Sequence, residues 1–174
     1  MNADKISSKI GVGLKRSSTI FLQAVIVLVG IGILAFMLWE PLVEGRNKHA
    51  ASLSEIYFHD PFLAYAYIGS IAFFMALYQA FKLLGYIGRK EVFSLQSVRA
   101  LQIIKYCAIV LVGFLAGAEA FFFVVQSGKE DIAGGVMMGL FLIFVSVIVA
   151  AAAGVFEKTL QSAVDMKSEN DLTV

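Results

Sequence analysis

Four long apolar runs, at about 19–39, 62–84, 103–125 and 132–156, alternate with short polar stretches along the chain. Each can cross a bilayer as a helix, because about 20 residues at 1.5 Å rise cover a hydrocarbon core of roughly 30 Å. The first run follows a basic start, Met1 to Ser18, and ends in Ala35-Phe36-Met37-Leu38-Trp39. That ending has no small-residue cleavage site, so it reads as a retained helix rather than a signal peptide. Trp39 suits the membrane interface, and Pro41 is expected to stop the helix. Residues 40–60 form a mildly acidic connection, and Pro61 opens the second run. Only Gln126-Ser-Gly-Lys-Glu-Asp131 separates the third run from the fourth, and so short a turn makes them antiparallel neighbours. The fourth run does not end cleanly. Phe156, Leu160, Ala163 and Val164 carry an apolar stripe past the point where Glu157, Lys158 and Gln161 appear, so the helix should leave the membrane and continue in water. The tail, Lys167 to Val174, is polar and mostly acidic and is expected to fray.

Between the second and third runs lies a basic, amphipathic segment, Gly88 to Tyr106. Ser94 reads as an N-cap whose hydroxyl can accept from the first free amides of the turn that follows. From Leu95 onward, Val98, Leu101 and Ile104 share one face while Gln96, Arg99 and Gln102 share the other. The pattern predicts an all-α, integral membrane fold. It is an antiparallel bundle of four transmembrane helices with an amphipathic inner helix between spans 2 and 3, and residues 1–174 form one membrane domain.

Composition agrees. At 59% hydrophobic and 16% charged residues, with a mean hydropathy of +0.82, there is too little polar surface to cover a water-soluble globule of 174 residues. The net charge of +1 conceals a segregation. If both termini are inside, eleven of the fourteen Lys and Arg lie on the inner side: Lys5, Lys9, Lys15, Arg16, Lys82, Arg89, Lys90, Arg99, Lys105, Lys158 and Lys167. Arg46, Lys48 and Lys129 lie outside. Short basic loops stay cytoplasmic, so a multi-pass inner-membrane protein with cytoplasmic N- and C-termini is expected.

Candidate chemistry is sparse. Cys107 is the only cysteine and reads as a core residue. His49, His59 and Asp60 could ligate zinc, yet nothing fixes their separation, and a solvated loop is the better reading. No metal or cofactor is expected. Glu119 is the one acidic residue inside an apolar run, roughly two turns from its outer end. Burial there disfavours the charged form, so the carboxyl should be protonated, hydrogen-bonded or facing a wet cavity. The functional reading is a proton or ion relay, and the plainer one is a carboxyl hydrogen-bonded to a tyrosine near the outer interface. Gly113 and Gly117 form one Gly-x-x-x-Gly, and Gly135 and Gly139 another. Small residues at this spacing favour close helix pairs, read here as packing of the third helix on the fourth, with a homodimer as the alternative. Gln23 and Gln79 read as interhelical hydrogen-bond partners, and Phe121-Phe122-Phe123 as packing or lipid-facing residues.

The inner helix Glu91-Val-Phe-Ser-Leu-Gln-Ser-Val-Arg-Ala-Leu-Gln-Ile-Ile, with Val155-Phe-Glu-Lys-Thr-Leu and the ending Ser168-Glu-Asn-Asp-Leu-Thr-Val174, resembles the bacterial four-span family catalogued as domain of unknown function 2975. The resemblance implies a bacterial inner-membrane protein with no assigned activity and no catalytic residues to carry over. It also implies a gene often placed beside that of a small helix-turn-helix regulator.

The conspicuous polar constellations, Arg89 to Lys105, the amphipathic extension Phe156 to Val164 and the acidic tail Glu169 to Asp171, lie on the inner face, where Arg89, Lys90, Phe93, Ser94, Arg99, Leu172 and Val174 are the interaction candidates. Attraction of the basic ones to anionic lipid heads, about 1 kcal/mol each, explains part of this but not the apolar stripe that outruns the membrane. The expected function is therefore a non-enzymatic regulatory or scaffolding protein that docks a cytosolic partner, with the helix-turn-helix regulator as candidate and no direct contact with nucleic acid. The alternative is a small transporter, channel subunit or ion-coupled protein using Glu119.

Overall fold

The computed structural model of the chain describes residues 3–43, 61–89, 91–125 and 133–171, all of them helix apart from residues 89 and 91–94, where α2 gives way to α3. The helices are α1 (Ala3–Val43), α2 (Pro61–Gly88), α3 (Leu95–Val125) and α4 (Ala133–Asp171). Each contains a stretch long and apolar enough to cross a membrane. Their large side chains point outward: Phe21, Leu28, Phe36, Trp39, Val124 and Met137 are each 67% exposed or more. In water such a surface would drive aggregation, and in lipid it is the solvated face.

Cross-helix contacts give the order of packing. Gln23 Nε2 donates to the Phe81 carbonyl at 3.2 Å and the Tyr67 hydroxyl to that of Met37 at 2.9 Å, which sets α1 antiparallel to α2. Tyr65 donates to the Phe114 carbonyl at 2.8 Å, and the Phe62 ring meets that of Phe122 edge-on, 4.9 Å between centroids, which sets α2 antiparallel to α3. Lys105 and Gln102 on α3 meet Glu157 on α4. The helices pack in chain order, and among the described residues no backbone approach joins α1 to α3 or α4, or α2 to α4. The bundle is thus open, with α3 held between α2 and α4. Its buried core, Leu101, Ile104 and Ala153 with Ala80, Leu83 and Leu160 against it, sits toward the end that carries the 89–94 turn, called here the basic end.

Several local expectations change. Pro41 does not stop α1, which runs to Val43. Proline lacks the N–H that would reach the carbonyl four residues back, that of Met37, and the Tyr67 hydroxyl supplies that carbonyl with a donor instead. The amphipathic segment is helical as read, but it forms the first turns of α3 without a break. Its cap is local: the Ser97 amide donates to Ser94 Oγ at 3.3 Å. Val98, Leu101 and Ile104 are buried, while Gln102 turns from the solvent face toward α4. The tail stays helical as far as Asp171, where fraying from Lys167 was expected. At 39 residues α4 is roughly 58 Å long, far more than the roughly 30 Å of a hydrocarbon core.

Candidate functional site

Two places combine unusual geometry with polar groups, one at each end of the α3–α4 seam. At the basic end α2 closes with the Glu91 amide donating to the Tyr86 carbonyl at 2.9 Å, and the chain then turns sharply into the Ser94 cap. Ser97 is fully buried beneath this turn, its hydroxyl donating to the Glu91 carbonyl at 3.2 Å and lying 3.1 Å from Ser94 Oγ. These bonds tie the loop to the end of α2 and the start of α3. Between the loop and the projecting end of α4 opens a cleft of about 560 Å³ lined by Glu91, Phe93, Ser94, Ala163, Met166 and Lys167. Phe93 is 59% and Met166 64% exposed, so an aromatic and a thioether stand at its rim between a carboxylate and an ammonium.

The expected inner-face residues are thereby sorted. Phe93 and Ser94 line the cleft; Arg89 and Arg99 are exposed but outside its lining. Lys90, Leu172 and Val174 lie outside the described residues, as do His49, His59 and Asp60. Sequence reading placed Ala163 in the projecting apolar stripe but did not name Glu91, Met166 or Lys167 as site residues, because nothing in their spacing shows that the projecting part of α4 returns beside the loop.

The seam is closed near the cleft by an ion pair also missed: Lys105 Nζ lies 2.6 Å from Glu157 Oε2, with side chains 25% and 14% exposed, and Gln102 Nε2 donates to Glu157 Oε1 at 3.0 Å. A signal existed. Lys105 and Glu157 stand at similar distances in sequence from the short connection between their helices, which brings them to one level.

At the other end Glu119 is 8% exposed, and its carboxyl lies in the place that a side chain on Gly139 would take. No tyrosine reaches it among the described residues. Tyr65 bonds Phe114 instead, its hydroxyl only 2.5 Å from where a Cβ on Gly117 would be. The two Gly-x-x-x-Gly motifs therefore do not meet as a pair. Gly139 receives α3, Gly117 receives α2, and Gly113 and Gly135 face open space. Each motif has one glycine at a close approach, where any side chain would collide, and one without a neighbour.

Four antiparallel helices with large apolar side chains on their exteriors and polar contacts across their seams define a multi-pass helical membrane protein. Residues 41–174 match the family described as protein of unknown function (DUF2975), and the chain belongs to that family. The uncharacterized membrane protein YoaS of Bacillus subtilis (strain 168) is 43% identical over 164 residues, covering 92% of this chain and 100% of that protein. No solved structure matches the chain.

Proposed function

We propose that this is a non-enzymatic regulatory or scaffolding protein of the bacterial inner membrane, oriented with both termini and the basic end in the cytoplasm, where it docks a cytosolic regulatory protein. The observation that carries the reading is the cleft between the 91–94 loop and the projecting part of α4, with Phe93 and Met166 exposed at its rim. Aromatic anchors and adaptable methionines recur where partners dock, and a preformed loop lowers the ordering cost of binding. The flanking Glu91 and Lys167 would fix the register of a partner that inserts an apolar side chain between charges of both signs.

The test is a photo-crosslinking amino acid placed at Phe93, at Met166 and, as a lipid-facing control, at Val149 in living cells. The same protein should be captured from both cleft positions, not from the control, and Lys167→Glu should reduce capture. If the cleft positions capture only lipid or the chain itself, docking fails. The second reading, an ion-coupled protein, is supported by the burial of Glu119 in the opposite half of the seam.

A further inference from the structure

Glu119 holds a carboxyl oxygen for which the described residues offer no companion. Its Oε2 is shut off from solvent and has no hydrogen-bond partner among the described residues, while Oε1 occupies the space above Gly139 that a methyl group would fill. From Gly134 to Phe156 α4 has no ionisable side chain, and from Ala108 to Val124 α3 has none besides Glu119. On α2, Tyr65 is engaged with the Phe114 carbonyl, and Tyr67 faces α1 at Met37. Lys129, Glu130 and Asp131 lie in the 126–132 connection, outside the described residues.

This leaves few ways to satisfy Oε2. A bound water needs two to four polar partners; Oε2 would be one, and the Tyr65 hydroxyl on α2 is already committed to the Phe114 carbonyl. A metal ion needs several oxygen or nitrogen ligands, and the described residues hold no group of three His, Cys, Asp or Glu. The notch is filled by the carboxyl itself, so an organic ligand would have to separate the helices. A proton needs neither room nor further ligands, and it removes the charge whose burial in hydrocarbon is unfavourable.

We propose that Glu119 is a proton-binding site in the α3–α4 seam, carried as a carboxylic acid while Gly139 receives it. Release then requires the seam to open, the O–H proton passing to a water molecule and the carboxylate becoming hydrated.

Infrared difference spectroscopy on the full-length protein in lipid vesicles at neutral pH tests this, comparing wild type with Glu119→Gln. The amide matches the acid in shape and should keep the seam. The expected difference is loss of one carboxylic acid C=O stretch with no loss of carboxylate bands; loss of carboxylate bands instead overturns the proposal. In Gly139→Ala the added methyl takes the space of Oε1, so the acid band should give way to carboxylate, while Gly135→Ala, which meets open space, should leave it in place. An acid band that persists in a folded Gly139→Ala removes the notch from the account. If that variant does not fold, the wild-type and Glu119→Gln spectra decide alone.

Discussion

Met37 carries a carbonyl that an ordinary helix would pair with the amide of residue 41, and residue 41 is proline. The Tyr67 hydroxyl at 2.9 Å makes the continuation of α1 depend on α2. Removing it should cost about 1 kcal/mol, the range measured for interhelical hydrogen bonds in membranes. Tyr67→Phe should therefore lower stability, read by unfolding in detergent or steric trapping, and the loss should shrink in a Pro41→Ala background, where an amide can serve Met37. Equal losses in both backgrounds would show that the bond does not substitute for the missing amide. No spacing rule links residues 41 and 67, so this pairing was invisible in the sequence. The Ser94 cap was legible because cap and recipient amide lie three residues apart.

Helices as elements were the most legible part, since sustained apolarity over 20 or more residues has one solution in lipid. Their ends and faces were less so. Pro41 is tolerated because another helix supplies a donor, and Gln102 faces α4 because Glu157 is there to receive it. Both depend on neighbours that periodicity does not specify. The same holds for the four glycines of the two Gly-x-x-x-Gly motifs, of which only Gly117 and Gly139 meet a neighbour. The Lys105–Glu157 contact ties α3 to α4 where they approach the basic end. Partly exposed, the pair should be worth less than a fully buried one, and Glu157→Ala should lower the unfolding midpoint. Lys105→Met with Glu157→Leu should cost less than the two single changes added together, because neither leaves a charge unpartnered. Additive losses in a thermal double-mutant cycle would mean that the two side chains act independently.

For the whole molecule the sequential antiparallel packing has a strict consequence: the start of α1 and the end of α4 lie on the same side as the 89–94 turn. With the end of α2 and the first turns of α3, those segments hold eleven of the fourteen Lys and Arg. Because Lys and Arg in short flanking segments are retained in the cytoplasm during insertion, the imbalance supports the proposed orientation, with the basic end in the cytoplasm. The lengths agree: α1 and α4, 41 and 39 residues, both outrun a bilayer, and their excess falls at the basic end, where Lys5 to Arg16 and Lys158 to Lys167 are found. The measurement is labelling of intact cells with an impermeant thiol reagent in a Cys107→Ala background, which removes the sole cysteine. Ser97, buried completely beneath the loop, would resist labelling from either side, so the exposed Gln96 and Ser168 are the informative positions at the basic end. Ser52→Cys, in the connection between α1 and α2, should be labelled from outside, whereas Gln96→Cys and Ser168→Cys should react only after the membrane is permeabilised. Labelling of Gln96→Cys and Ser168→Cys in intact cells, with Ser52→Cys protected, would invert the molecule and place the cleft on the outer face, beyond reach of any cytosolic partner.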